Sequence, residues 1–126
     1  MGEHKFYKCN VCGNLVGLIN EGGGVLTCCN QPMELLVPNT VDAAVEKHKP
    51  VLEMEGDLLS IKVGSAPHPM LPEHYIMWVF VGTENSGHRI VFKPGDEPKA
   101  LLHIKQESVT SAYAYCNLHG LWKADL

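Results

Sequence analysis

Four cysteines near the N-terminus are spaced as ligands of one metal ion. "CNVC" places Cys9 and Cys12 three residues apart, and "TCCNQPM" adds the adjacent pair Cys28 and Cys29. A disulfide between neighbours is disfavoured, because Cα atoms across a trans peptide are about 3.8 Å apart and a disulfide needs about 4.4 Å or more. Four thiolates suit a tetrahedral site for zinc or for a single iron, and the spacing leaves that choice open.

The adjacent pair also constrains the backbone that carries it. Neighbouring residues of an extended chain point to opposite faces. Cys28 and Cys29 can therefore share an ion only if the backbone turns sharply between them, and we predict a tetrahedron whose angle at this pair is opened. On spacing alone, a zinc knuckle that stabilises a small unit and a redox-active iron are equally good interpretations.

A second set of metal-binding residue types is spread over the rest of the chain. "YCNLHG" carries Cys116 and His119 in a CxxH arrangement, and this cysteine has no thiol partner left. "EKHKP" contributes His48, and "APHPMLPEHY" contributes His74 and the proline-flanked His68. Prolines restrict φ and make a stiff loop, which suits a ligand better than a strand. Four imidazoles and one thiolate favour iron, and after it copper, over zinc, which rarely takes five protein ligands.

Two other classes of protein compete with a redox enzyme at this point. A zinc-ribbon-type structural or protein-binding module would use the N-terminal cysteines, but it leaves Cys116 and His68 unexplained. A hydrolytic metalloenzyme with Glu46 as general base would keep three protein ligands and a water, and five candidate ligands are too many for it. The remaining histidines are interpreted as ordinary polar residues: His4, His88 and His103.

Short β-strands are expected to position both sets of residues. Residues 6–37 are typical of short β pieces separated by turns, and so small a unit needs a metal or a partner to fold. Residues 38–50 form a connector with a helical turn expected from Asn39 over "VDAAVEKH" and stopped by Pro50. From Pro50 onwards the strand signals indicate a small antiparallel sandwich or barrel. These signals are "VLEME", "LLSIKVG", "YIMWVFVGT", "HRIVFK", "ALLHIKQ", "SAYAYCN" and "LWKADL".

Composition limits the classes of partner. The chain has 126 residues, of which 45% are hydrophobic, enough for one compact domain or one domain with an appendage. Its 14 acidic residues outnumber 10 basic ones, which gives no reason to expect nucleic acid. No run approaches the roughly 20 apolar residues of a membrane span. Four of the five cysteines fall within the first 29 residues, which favours metal binding over a disulfide framework and predicts a reducing, cytoplasmic location.

Seven motifs, in this order, resemble the desulfoferrodoxin family, the two-iron superoxide reductases also called rubredoxin oxidoreductases. They are "YKCNVCGN", "CCNQPM", "EKHKP", "KVGSAPHPM", "EHYIMW", "FKPGDEP" and "YCNLHGLWK". The resemblance extends from about Phe6 to Lys123. It implies an all-β homodimer, with a small desulforedoxin-like metal module over residues 1–37 and an immunoglobulin-like antiparallel β-sandwich over residues 38–126.

The resemblance also implies two mononuclear irons and a reaction. Superoxide would be reduced to hydrogen peroxide without dioxygen formation, as a defence against oxidative stress, with rubredoxin as electron donor. Lys47 would draw superoxide in, and Glu46 would close the open position of the oxidised iron. Departures from the family pattern at Lys49 and Leu121 lie outside the ligand set. The implied ligands are Cys9, Cys12, Cys28 and Cys29 for a distorted FeS4 centre, and His48, His68, His74, His119 and axial Cys116 for the catalytic iron.

Overall fold

The computed structural model describes residues 4–105 and 108–126. It separates into two units, Met1–Val37 and Pro38–Leu126. Residues 1–3 of the expected metal module lie outside the described residues. Within the described ranges, no helix is both long enough and apolar enough to cross a membrane.

The first unit contains a small sheet and a hairpin. The sheet has the antiparallel order β2-β1-β5, and the hairpin pairs β3 with β4. Among residues 4–37, only Phe6 and Cys9 are buried. So little apolar burial cannot stabilise the unit by itself, and metal–ligand bonds are well placed to supply the rest. The strands are β1 (Lys5–Lys8), β2 (Leu15–Leu18), β3 (Thr27–Cys28), β4 (Gln31–Pro32) and β5 (Glu34–Leu35).

In its described residues, the second unit is a sandwich of two antiparallel sheets preceded by a short helix. One sheet has the order β10-β7-β6 and the other has the order β12-β11-β8-β9. The elements are α1 (Val45–His48), β6 (Pro50–Glu55), β7 (Leu58–Val63), β8 (Ile76–Thr83), β9 (Gly87–Val91), β10 (Lys99–His103), β11 (Val109–Cys116) and β12 (Gly120–Asp125).

Alternate residues of the central strands fill the space between the sheets. Leu59 and Ile61 of β7 belong to the same buried apolar cluster as Val79 and Val81 of β8. In β11 this face ends at Cys116, which is fully buried. A spacing of two is the period at which strand side chains return to one face. The sandwich core therefore extends directly to a candidate ligand.

The expected all-β architecture is confirmed. Each of the seven strand signals after Pro50 corresponds to a strand, with small shifts at the ends. The signal "ALLHIKQ" reaches Gln106, which lies outside the described residues. The helix expected from Asn39 is wrong in its start, since α1 begins only at Val45. Asn39 has a φ of 63°, and its side chain bonds the backbone N–H and carbonyl of Lys123 at 2.9 and 3.1 Å.

Candidate metal centres

The loop after β1 brings Cys9 and Cys12 together. The carbonyl of Cys9 accepts a hydrogen bond from the N–H of Gly13 at 2.9 Å, and the N–H of Cys9 donates to the carbonyl of Asn14 at 2.9 Å. Gly13 has a φ of 82°, a left-handed conformation in which glycine has no Cβ to clash. The resulting tight turn delivers both thiols to one cluster.

A two-residue turn brings the adjacent cysteines into that cluster. Cys28 of β3 pairs with Gln31 of β4, and the intervening Cys29 and Asn30 have φ values of 52° and 61°. Positive φ at both central positions is the type I′ hairpin turn. The predicted sharp turn is therefore confirmed, while the opened ligand angle stays a prediction. Sγ of Cys28 lies 3.7 Å from Sγ of Cys12 and 3.9 Å from Sγ of Cys29.

Hydrogen bonds within this cluster favour ionisation of the Cys9 thiol. The backbone N–H groups of Cys12 and Val11 each donate to Sγ of Cys9 at 3.4 Å, and they lower the pKa of Cys9 to about 6. The hydrogen bond with the Cys12 side chain raises the pKa of Cys29 to about 12. Thiolates this close repel one another, so all four ionise together only around a cation.

Separate segments of the second unit supply a second cluster. Nε2 of His48, at the end of α1, lies 3.1 Å from Nε2 of His68 and 3.1 Å from Nδ1 of His119. Sγ of Cys116, at the end of β11, lies 3.8 Å from the same nitrogen of His119. One ligand atom from each member lies within 4.8 Å of the others, the members being His48, His68, His74, Cys116 and His119.

Backbone carbonyls fix which nitrogen of two histidines faces this cluster. Nδ1 of His48 donates to the carbonyl of Ala44 at 2.7 Å, and Nδ1 of His68 donates to the carbonyl of Pro69 at 2.7 Å. Their Nε2 lone pairs are therefore left for a metal, as is usual for metal-binding histidines with a second hydrogen-bond partner. His119 is turned the other way and presents Nδ1.

Burial controls the protonation of the second cluster. It lowers the pKa of His68 to about 4, and it also lowers the pKa of His48 and of His74. Burial raises the pKa of the Cys116 thiol. At neutral pH the three histidines are therefore in the neutral form that binds metals, and a nearby cation would favour ionisation of the thiol.

A buried nitrogen of His74 indicates that the second cluster fits a metal ion. Within residues 4–105 and 108–126, its buried Nε2 has no hydrogen-bond partner. Leaving such an atom unsatisfied costs about 1–3 kcal/mol, and a bound cation would satisfy it. Five nitrogen and sulfur donors exceed the usual four of zinc and suit iron. The residues present fit one iron here and one in the four-cysteine cluster.

Glu46 and Lys47 occupy α1 beside a ligand but belong to neither cluster. Both are exposed, and the carbonyl of Glu46 accepts a hydrogen bond from the N–H of Ala66 at 2.8 Å. After burial, the charge of Lys47 is among the causes that lower the pKa of His48 and of His74. The positive potential of Lys47 therefore reaches the second cluster.

Sequence reasoning missed Trp122, which contacts two members of the second cluster. Its ring stacks on the ring of His48 with centroids 5.0 Å apart, and its Nε1 donates to the carbonyl of His119 at 3.1 Å. From sequence alone, a tryptophan in an apolar strand is expected to be an ordinary core residue. Only its position three residues after His119 in "HGLW" could have suggested that it contacts the cluster. The histidines expected to be ordinary polar residues, His4, His88 and His103, are in neither cluster.

Comparison with known proteins places the chain in a family. Residues 40–125 match the desulfoferrodoxin family, and residues 2–36 match the desulfoferrodoxin N-terminal domain. The chain belongs to the desulfoferrodoxin family. A desulfoferrodoxin homologue from Archaeoglobus fulgidus is 51% identical over 118 residues, which are 94% of each chain.

Two further relatives are named as superoxide reductases. The crystal structure of the superoxide reductase from Treponema pallidum superposes with a TM-score of 0.80 at 34% identity, covering 98% of this chain and 100% of that one. The superoxide reductase of Pyrococcus horikoshii is 36% identical over 99 residues, covering 64% of this chain and 86% of its own. The resemblance seen in the sequence motifs is thereby confirmed at the level of the family.

Proposed function

We propose that this protein is a superoxide reductase. One superoxide, one electron and two protons give one hydrogen peroxide, with no dioxygen formed. The observation that carries the proposal is the convergence of four imidazole nitrogens and the Cys116 thiol in one cluster. The names of the Treponema and Pyrococcus relatives support the same reaction.

The ligand sets divide the work between the two clusters. Cys9, Cys12, Cys28 and Cys29 would hold the first iron, and His48, His68, His74, Cys116 and His119 would hold the second. When bound, the second iron supplies the single electron that superoxide receives. Its donors contribute one negative charge, so a divalent ion there keeps a net positive charge, whereas four thiolates make the first cluster negative. Superoxide, an anion, is therefore drawn to the second cluster.

Lys47 is proposed to attract superoxide to the second cluster, and Glu46 is proposed to help the peroxide product leave it. The charge of Lys47, whose field reaches His48 and His74, raises the local concentration of superoxide. The adjacent carboxylate of Glu46 competes with the peroxide anion for the positive site and thereby favours product release. This assignment is supported by the position of both residues on the same short helix as His48.

The reaction requires an external electron donor, and we propose rubredoxin. The sequence contains no G-x-G-x-x-G with which the chain could bind a nicotinamide nucleotide itself. Oxidative-stress defence in the cytoplasm is the setting proposed, supported by five free cysteines, four of them gathered in one metal-binding cluster.

A homodimer is proposed because the first unit leaves apolar side chains exposed. Ile19 and Val25 are 102% and 76% exposed, and Val11 and Leu35 are exposed as well. Exposed apolar residues at this density on so small a unit indicate an interaction surface. We propose a second copy of the chain as the partner that covers them.

Metal content followed by product yield tests the proposed function. Protein purified anaerobically from its own source is expected to contain two irons per chain. With excess reductant it should form one peroxide for each superoxide consumed. One zinc without iron would contradict the enzyme assignment and favour a structural ribbon. Dioxygen formed in amounts equal to peroxide would indicate a dismutase instead.

Neutralising Lys47 is expected to slow the capture of superoxide. Lys47→Gln should lower the second-order rate constant about 10-fold at low ionic strength and flatten its salt dependence, because electrostatic focusing is lost. Pulse radiolysis over a range of salt concentrations measures both. Lys62→Gln removes the same charge from an exposed position on β7 and is the matched control. Equal rate constants for the Lys47 variant and the wild type would remove the steering role.

Removing the side-chain amide of Asn14 is expected to lower the reduction potential of the first iron. Nδ2 of Asn14 donates to Sγ of Cys28 at 3.6 Å, and donors to sulfur stabilise the more negative, reduced state. Because one exposed hydrogen bond to one of four sulfurs is lost, the potential is expected to fall by tens of millivolts. A redox titration followed by visible absorption measures the shift in Asn14→Ala. Asn20→Ala, an exposed asparagine of the same unit, should leave the potential unchanged.

A further inference from the structure

Asn117 links the backbone on both sides of His74 to the turn that carries two other ligands. Its Nδ2 donates to the carbonyl of Glu73 at 3.0 Å, and its Oδ1 accepts from the N–H of Tyr75 at 2.9 Å. Its own N–H donates to the carbonyl of Tyr75 at 3.2 Å. In sequence, Asn117 lies directly after Cys116. Asn117 therefore hydrogen-bonds the residues on both sides of His74 and is itself the residue next to Cys116.

The ring of His74 lacks, within the described residues, the carbonyl hydrogen bond that orients the rings of His48 and His68. The rings of His48 and His68 each bond a backbone carbonyl at 2.7 Å. Nothing in the described residues hydrogen-bonds the buried Nε2 of His74, and its backbone pairs only with Leu71, at 2.9 and 3.0 Å. Apart from edge contacts with the rings of His68 and His119, the direction of the His74 ring is therefore set by the backbone segment that carries it.

We propose that Asn117 is a positioning residue for the second metal centre. It joins the His74 segment to the turn after β11, and so fixes His74 relative to Cys116 and His119. The inference rests on the iron site of the proposed function and does not depend on superoxide as the substrate. Residues that hold metal ligands in position typically contribute about 10- to 100-fold to metal affinity.

Asn39 provides a matched comparison within the same unit. Its side chain also donates to one backbone carbonyl and accepts from one backbone N–H, both of Lys123, and its own N–H donates to the carbonyl of Leu121 at 3.0 Å. It differs in bonding the residues on both sides of Trp122, which is not a candidate ligand, whereas Asn117 bonds the residues on both sides of His74. Asn39 has a φ of 63°, so Asn39→Gly removes the two side-chain bonds, keeps the backbone bond to Leu121 and adds no strain at a left-handed residue.

The test compares iron retention and spectra in the iron-loaded full chain. Asn117→Ala should lose the second iron to a chelator about 10- to 100-fold faster than wild type and shift its ferric thiolate absorption. The four-cysteine iron should be unaffected. Asn39→Gly should destabilise the unit comparably in thermal unfolding, yet keep wild-type iron loss and absorption. Wild-type chelator kinetics and spectrum in Asn117→Ala would overturn the proposal, as would equal iron loss in both variants.

A second substitution keeps the test valid if Asn117→Ala does not fold. Asn117→Asp retains an acceptor for the N–H of Tyr75 but places a carboxylate oxygen against the carbonyl of Glu73, so it too should lose iron faster than wild type. Iron loss no faster than wild type would again overturn the proposal. None of these measurements uses superoxide, so they test the positioning role separately from the reaction. Wild-type protein that binds both irons but yields no peroxide would contradict the proposed function and leave the role of Asn117 unaffected.

Discussion

Replacing Gly64 by alanine is expected to remove the second iron and to destabilise the sandwich unit strongly. A Cβ at this position would overlap the carbonyl oxygen of Glu46 and lie 3.0 Å from the carbonyl carbons of Glu46 and Lys47. These are backbone atoms, which cannot rotate away as a side chain can. The segment after β7 and helix α1 would have to separate.

That separation would break the contacts that hold α1 in place. The carbonyl of Glu46 accepts hydrogen bonds from the N–H of Ala66 at 2.8 Å and from Oγ of Ser65 at 3.3 Å. His48 lies two residues further along this helix and is buried at the second cluster. Overpacking of this kind costs about 1–3 kcal/mol, and the upper end is expected where backbone meets backbone. Displacement of His48 then lowers metal affinity.

Denaturant unfolding and iron content per chain measure the two effects in Gly64→Ala. Gly87→Ala is the control, because Gly87 is exposed on β9 and a Cβ there would meet the ring of Phe80 on β8, a half-buried side chain that can turn aside. It should cost less stability and retain both irons. Wild-type stability with full iron content in Gly64→Ala would show that α1 has room to move.

The strands of the sandwich were predictable because their signal is local. In "YIMWVFVGT", apolar β-formers run without interruption, and the structure buries residues of both faces in β8 (Ile76–Thr83). "LLSIKVG" alternates instead, and in β7 Leu59, Ile61 and Val63 are buried while Lys62 is exposed. Patterns with a period of two, bounded by turn residues, contain most of what a strand requires.

The start of α1 was not predictable because a distant strand decides it. Asn39 has the residue type of a helix N-cap, and the sequence offers no sign of a competing partner. In the structure its side chain bonds the backbone of Lys123, 84 residues away, and its positive φ takes the chain away from a helical path. Two hydrogen bonds to strand backbone outweigh a local capping preference.

The members of the two clusters were predictable, whereas the residues that hold them in place were not. Cysteine and histidine are ligand types, so spacing and local context were enough to select all nine members of the two clusters. Gly64, Asn117 and Trp122 act through contacts with remote segments or rings, and no residue type marks such a role. Asn117 bonds Tyr75 from 42 residues away, a contact that exists only once β8 and β11 have paired.

Replacing Cys116 by serine is expected to abolish the ferric thiolate absorption of the second centre. It should also slow superoxide reduction more than 100-fold, because a ligand contributes more than the roughly 10- to 100-fold of a residue that only supports a ligand. Cys116 is fully buried at the end of β11, with Sγ 3.8 Å from Nδ1 of His119. Burial raises the pKa of its thiol, and the backbone N–H groups of Leu118 and His119 offset part of that rise. A hydroxyl ionises far less readily than a thiol, so the serine variant contributes neither the sulfur donor nor the negative charge.

Visible spectroscopy and pulse radiolysis on the iron-loaded Cys116→Ser variant measure both losses. The four-cysteine cluster lies in the other unit and should keep its absorption. Ala114→Ser is the matched control, because Ala114 is also fully buried on the same face of β11, two residues before Cys116. It buries a serine hydroxyl at a cost of about 1–3 kcal/mol without touching the ligand set, so its spectrum and rate should match wild type. A Cys116→Ser protein with wild-type absorption and rate would show that the sulfur of Cys116 does not bind the metal. The thiolate charge assumed at the second centre would then be absent, which would contradict the proposed reductase site.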